Sequence, residues 1–450
     1  MTVLKAGSSA GTQDVDQRNG VGNPLDVYLP LEEPRLVLDV RPDPVFHQAH
    51  LACSYHVFPV SELKSRYSYL PPRGVPFLVL ADLLQRAEVM EAFSSVPSAR
   101  LVFLSDSTKD STCEQEELRQ ADVVSYGHFF GAARDRGLVR TSHAHRDRIM
   151  GQHRENDHHD IPELLFRPSN AVRRTILSLE DGDLGREPLR VLDLGCGAAR
   201  DLAWILHCSR TRTSPAGKSL SWTGVGVDNW RAALSRAQQL MNDLCLVSAS
   251  SSQEPVVPSS PHCEKLVWAK CSDDGFLEPL VGSGKGRSLL TVNSSSTSVE
   301  DTSLWQECSH LGLGPLLPPA AASLASGLNG DDEEAKFDLI LCIRFHPRAL
   351  LPRLAHLVRK GGVILLSHFA TLSDAERETA LKGHPTATVD YDSPPHEGRI
   401  QPGEVENLIR LYNQAVEPGC RWTIADAVLE PIEDGRIIKS VALRKLPVGT

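Results

Sequence analysis

Short apolar runs closed by turn-forming residues alternate along most of this chain with stretches whose apolar positions recur every three or four residues. RLVLDV (35–40), ended by RPDP, PFLVLA (76–81) and RLVFLS (100–105) read as buried strands. Between the last two, DLLQRAEVMEAF places Leu83, Leu84, Ala87, Met90 and Phe93 at a helical period. The alternation resumes at EPLRVLDLGCGAARDLAWIL and SWTGVGVD (221–228). RAALSRAQQLMNDL then sets Ala232, Ala233, Ala237, Leu240, Met241 and Leu244 on one side. KLVWAKC, KFDLILCI, LLPRLAHLV, GVILLSHF, TIADAVLEPI and IIKSVALRK continue the series. Strand and helix in strict alternation predict an α/β fold, here a doubly wound sheet with an antiparallel finish.

The pattern fails in four places, and those failures divide the chain. Residues 1–23 read as a disordered tail and 141–164, charged and His-rich, as a linker, leaving a smaller α/β domain at 24–140 and a larger one at 165–450. Two stretches rich in Ser, Gly and Pro, 247–262 and 282–335, read as surface insertions into the larger domain. His143, His145, His153, His158 and His159 match no zinc spacing.

Composition narrows the function classes. At 450 residues, with 41% apolar and 23% charged residues, the chain is ordinary globular material, and a net charge of -10 has the wrong sign for bulk attraction to nucleic acid or an anionic membrane. No run approaches the roughly 18 apolar residues of a spanning helix, and the first twenty residues lack a secretory core, so a soluble, cytoplasmic protein is expected. The 10 Cys form no CxxC pair and read as reduced packing residues.

The densest chemistry lies in VLDLGCGAARD (191–201). Gly195 and Gly197 fall where a strand turns into a helix, and residues without side chains there allow positive φ and close approach of a ligand to the backbone; Ala199 stands where a third glycine would complete the pattern. About thirty residues on, GVGVDNW places Asp228 at the tip of the next strand, where a carboxylate accepts both hydroxyls of a ribose or caps the following helix.

VLDLGCG, VGVD, FDLILC and KGGVILL, in this order, resemble the class I S-adenosylmethionine-dependent methyltransferases over roughly residues 165–446. LFRPSNAVRRTI, GCGAARDLAW, VDNW, IRFHPRALLP, QPGEVENL and PIEDGR are similar to a tellurite-resistance-type subgroup of them, in which a rhodanese-like domain often comes first. In the first half, LDVRPDPVFHQAHLACSYHVFPVSEL and LPPRGVPFLVL resemble that rhodanese pattern. The resemblance implies a Rossmann-like sheet with S-adenosylmethionine as cofactor. It implies that Asp193, Gly195, Cys196 and Gly197 line the methionine end, Asp228 with Asn229 and Trp230 the ribose and adenine, and Asp273 or Asp274 the adenine amine.

A sulfonium is already an activated methyl donor, so such an enzyme needs alignment and water exclusion more than a metal or a covalent residue. The acceptor wall is expected at Cys342–Pro347 and Ser367–Phe369. A cation beside a sulfonium calls for an anion between them, so Arg344 points to a small anionic acceptor, or one bearing a thiol or chalcogen, with His346 and His368 as proton acceptors. The alternatives are a protein or RNA methyltransferase and a non-catalytic scaffold. Sulfur transfer needs a Cys directly after a strand, whereas Asp82 follows PFLVLA and Asp106 and Ser107 follow RLVFLS, so the first domain is expected to be catalytically silent. Neither the identity of the acceptor nor the oligomeric state is legible.

Overall fold

A computed structural model describes residues 25–31, 35–52, 54–66, 69–72, 74–105, 122–141, 163–181, 188–210, 221–247, 261–280, 336–415 and 419–448. The proposed tail, the linker apart from residues 141, 163 and 164, the five linker histidines, Cys53, Cys113, Asp106, Ser107 and almost all of both insertions lie outside those residues. The chain forms two units: residues up to 63 with 74–163, and residues 64–73 with 164–450. Among the described residues no helix is long and apolar enough to cross a membrane.

The first unit is built on β1 (Val37–Asp39), α1 (Asp43–Gln48), β2 (His50–Leu51) and β3 (Tyr55–His56). α2 (Leu63–Arg66) then straddles the sequence boundary between the units, and β4 (Phe77–Asp82), α3 (Arg86–Phe93), β5 (Ala99–Ser105), β6 (Asp122–Ser125), α4 (Tyr126–Arg134) and β7 (Val139–Arg140) follow. β3-β1-β4-β5-β6 is a parallel sheet, with β2 and β7 pairing apart from it. Leu78, Leu80, Val102 and Leu104 pack against Phe129 and Phe130 of α4. The three strands read from apolar runs are β1, β4 and β5; a two-residue strand such as β3 has no period to detect.

The second unit comprises α5 (Asn170–Glu180), β8 (Leu189–Leu194), α6 (Arg200–Ser209), β9 (Trp222–Asp228), α7 (Arg231–Asp243), β10 (His262–Cys271) and β11 (Leu277–Pro279). β12 (Phe337–Ile343), α8 (Leu351–Leu354), β13 (Val358–His368), α9 (Asp374–Gly383), α10 (Glu404–Ala415), β14 (Cys420–Pro431) and β15 (Ile437–Pro447) complete it. Its sheet runs β11-β10-β9-β8-β12-β13-β15-β14. β10, β9, β8, β12 and β13 are mutually parallel, and β15 is antiparallel to β13 and to β14. This is the doubly wound sheet with an antiparallel finish. Burial on both faces accounts for the near-continuous apolar runs of β8, β9 and β12. Chain order reverses between β8 and β12, and a ligand crevice opens beyond the carboxyl ends of the strands at such a switch point. The bridge Val247↔Cys263 brings the two ends of the first insertion together at the start of β10.

Candidate active site

The carboxyl end of β8 enters the glycine turn at the switch point. Gly195 has φ +72° and Gly197 φ +56°, and Ala199 takes the same left-handed conformation at φ 54° although fully buried. Left-handed backbone costs a residue with a Cβ roughly 1 kcal/mol or more, so Ala199 is a strained entry into α6 held by its surroundings. A Cβ on Gly195 would lie 2.5 Å from the Phe345 side chain, so the turn lets β12's exit close over β8. Gly197 faces open space. The amides of Gly195 and Cys196 donate to the Val227 carbonyl at 2.8 and 3.0 Å, fixing the turn on β9.

Asp228 ends β9 beside that turn. Its Oδ2 accepts from Gly197 N and its Oδ1 from Trp230 N, both at 2.7 Å. A carboxylate has about four lone-pair positions, so two remain for a ligand diol. The helix-cap alternative takes a related form: Trp230 is the N-cap of α7 and Asp228 braces the turn before it. Trp230 is 58% exposed, with the Arg236 guanidinium over its ring, 4.8 Å from the centroid. Asn229 takes part through its carbonyl, which accepts from Trp268 Nε1 at 3.0 Å.

Asp193 and Cys196 lie deeper. Burial, followed by Asp201 and Asp228, pushes the Asp193 carboxyl well above the usual range. Such a group gains most from a cationic ligand that restores its charge. Burial, then Asp193 and Asp228, push the Cys196 thiol up; it packs over Gly226, whose absent Cβ would lie 3.1 Å from Sγ. Cys196 therefore shapes the turn as a neutral side chain. Asp201, not singled out from sequence, accepts from Ser169 N at 2.8 Å and anchors the segment before α5.

Asp273 and Asp274 lie further out along the sheet. Trp268 is the β10 residue opposite Asp228, and the two acids lie in the β10–β11 turn, five and six residues further along the chain. At about 3.3 Å per residue even the strand end at Cys271 is roughly 10 Å beyond Asp228. Arg353 holds this turn through the Asp274 carbonyl at 3.2 Å.

The exit of β12 forms the opposite wall. Arg344 has φ 55°, and its amide donates to the Ser367 carbonyl at 2.7 Å. Its guanidinium pairs with Glu433 from the β14–β15 turn, and both groups are about half exposed. Arg200 at the start of α6 interacts electrostatically with both Arg344 and Glu433. The His346 ring is nearly buried with Nε2 3.1 Å from Glu404 Oε1, and Arg348 forks the same carboxylate at 2.7 and 3.1 Å. Burial raises the Glu404 carboxyl, but His346, Arg348 and the Gln401 amide outweigh it and hold it at about 2. His368 lies 5.6 Å from His346, ring to ring, and donates Nε2–H to the Gly398 carbonyl at 3.1 Å, which leaves Nδ1 buried without a partner. Burial, then His346, lowers His368 to about 4, so it stays neutral near pH 7 and is a weak base. Ser367 instead pairs with Ser440 at 2.8 Å, and Cys342 is fully buried with its thiol pushed up by burial.

No family model matches the chain. An uncharacterized protein of Schizosaccharomyces pombe is 23% identical over 410 residues, 91% of this chain and 93% of that one. Among solved structures, a S-adenosylmethionine-dependent methyltransferase from Methanosarcina mazei is similar at 13% identity and TM-score 0.27, over 58% of this chain and 94% of that one. An arsenic(III) S-adenosylmethionine methyltransferase from Chlamydomonas reinhardtii aligns at 16% identity and TM-score 0.27, covering 63% and 75% of the two chains. A putative class I methyltransferase from Listeria monocytogenes does so at 10% identity and TM-score 0.31, covering 63% and 61%.

Proposed function

We propose that the second unit is an S-adenosylmethionine-dependent methyltransferase acting on a small anionic acceptor or one bearing a thiol or chalcogen. The observation that carries this reading is Asp228, held by two amides at 2.7 Å at the tip of β9 beside a left-handed glycine turn, at the switch point of a doubly wound sheet. Asp228 would hold the ribose hydroxyls and Trp230 the adenine face. Asp193, a buried carboxyl whose pKa is raised, suits the positive charge of the methionine end. Bound there, the cofactor supplies a methyl group on a sulfonium, already activated for transfer. The chain's own part is to align the acceptor and exclude water. Arg344 and Arg200, sharing Glu433, are the cations that would receive an anionic acceptor.

The first unit is read with it as a rhodanese-like domain without sulfur transfer, in a cytoplasmic protein. Its parallel sheet and its Asp39–Arg41 pair support that reading, as does Asp82, which ends β4 and caps the helical turn after it.

Calorimetry with S-adenosylhomocysteine tests the cofactor. Micromolar binding is expected in the wild type, and Asp228→Ala should weaken it about 100-fold, as charge-assisted hydrogen bonds to two hydroxyls imply. No binding by the wild type, or full affinity in the variant, would sink the proposal and favour a scaffold.

A further inference from the structure

Two arginines and one glutamate come together at the ligand end of the second unit's sheet, beside the glycine turn. Arg344 leaves β12 with φ 55°, a conformation that costs any residue with a Cβ, and its amide donates to the Ser367 carbonyl at 2.7 Å. Its guanidinium pairs with Glu433, while Phe345, next in the chain, turns onto Gly195. Arg200 acts on both groups, attracting Glu433 and repelling Arg344. The neighbouring acid, Asp201, is already committed to the Ser169 amide at 2.8 Å, so the two guanidinium groups share the Glu433 carboxylate.

Glu433 is delivered by a turn that is fixed without its help. β15 begins beside the carboxyl end of β13, with Lys439 opposite His368, which places the β14–β15 turn at the edge of the crevice. Within the turn, Gly435 donates to the Ile432 carbonyl and Ile432 to the Arg436 carbonyl, both at 2.9 Å. From the segment after α9, Thr388 donates to the Gly435 carbonyl at 2.8 Å and its own carbonyl accepts from Ile437 N at 3.0 Å. Arg436 reaches the Ser393 carbonyl at 2.7 Å. None of these contacts uses the Glu433 side chain, so the turn keeps its shape whether or not the Arg344 pair is closed.

The pair itself adds little to stability, because both partners are about half exposed. The carboxylate can swing into water on its own side-chain torsions while the backbone stays in place. What the pair does change is the charge that an incoming molecule meets: Glu433 closed on Arg344 halves the positive charge at this edge of the crevice, and Glu433 displaced restores it.

We propose that Glu433 is a specificity-determining residue, a built-in counter-ion that occupies Arg344 until an anionic methyl acceptor displaces it. The inference rests on the methyl-transfer reading, in which the crevice admits such an acceptor. Neutral molecules, and anions that hold Arg344 no better than a glutamate does, leave the pair closed.

Titration calorimetry tests this, with inorganic phosphate added at low ionic strength to the full chain saturated with S-adenosylhomocysteine. Glu433→Gln keeps the size of the side chain and removes its charge. It should bind phosphate about fivefold more tightly than the wild type, the upper end of what an exposed pair contributes, and adding Arg344→Ala should abolish the gain. Equal or weaker binding in Glu433→Gln, no binding by either protein, or a gain that survives Arg344→Ala would overturn the proposal. A gain that bound S-adenosylhomocysteine cancels would give the pair to the cofactor and overturn it as well. Should the wild type bind no S-adenosylhomocysteine, the methyl-transfer reading fails by itself, and phosphate titration of the free chain still decides whether Glu433 shields Arg344.

Discussion

Gly195 and Gly197 are two residues apart with nearly the same backbone conformation, yet they answer different demands. At Gly197 only conformation matters, so Gly197→Ala should cost roughly 1 kcal/mol. At Gly195 the same penalty is joined by a collision with Phe345, so Gly195→Ala should cost about 2–4 kcal/mol and displace the β12 exit. Urea denaturation of the two variants checks this, and equal losses would mean that Phe345 yields freely. The glycines and Asp228 were legible in the sequence because their partners are backbone amides of the same short motif. Glu433 and Glu404 were not, since they meet Arg344 and His346 from 89 and 58 residues further along the chain.

Among elements, the end of β13, the β12 exit and the start of α10 form one titrating cluster. His368, and His207 within α6, are both lowered to about 4 by burial, whereas an unfolded histidine titrates near 6.5. The unfolded chain therefore takes up protons that the folded one refuses, and stability falls as pH drops from about 6.5 towards 4. Glu404, depressed to about 2, contributes stability that is intact above its unfolded value near 4.3 and lost as pH falls from there towards 2. Unfolding free energy measured against pH should thus decline in two successive windows, and His368→Asn should make only the upper one shallower, leaving the part that His207 contributes. The strands of this unit were readable because burial on both faces writes continuous apolar runs. The same sequence reading passed over β2, β3 and β7, two residues each, whose pairing depends on what lies beside them.

At the scale of the whole molecule, the units are not two consecutive pieces of sequence. Residues 64–73 belong with 164–450, and within that unit Tyr69 is 1% exposed, its hydroxyl donating to the Arg236 carbonyl of α7, while Arg66 pairs with Asp243 at 3.1 Å. Tyr69→Ala should cost about 3–5 kcal/mol, in the range of large aromatic truncations, and a chain beginning at residue 164 should show a comparable loss. Thermal unfolding of both against the full chain measures it; an unchanged Tm would leave the segment without structural weight. No periodicity could have revealed this, because ten residues of mixed character look like any connection.

The same segment sets a timetable for synthesis. Tyr69 leaves the ribosome 167 residues ahead of the carbonyl that it will bind, which at about 5–20 residues per second is a wait on the order of ten to thirty seconds. During that interval an aromatic side chain destined for full burial has no place to go, and the nascent protein carries it as a latent site for chaperones or for mispairing with another copy.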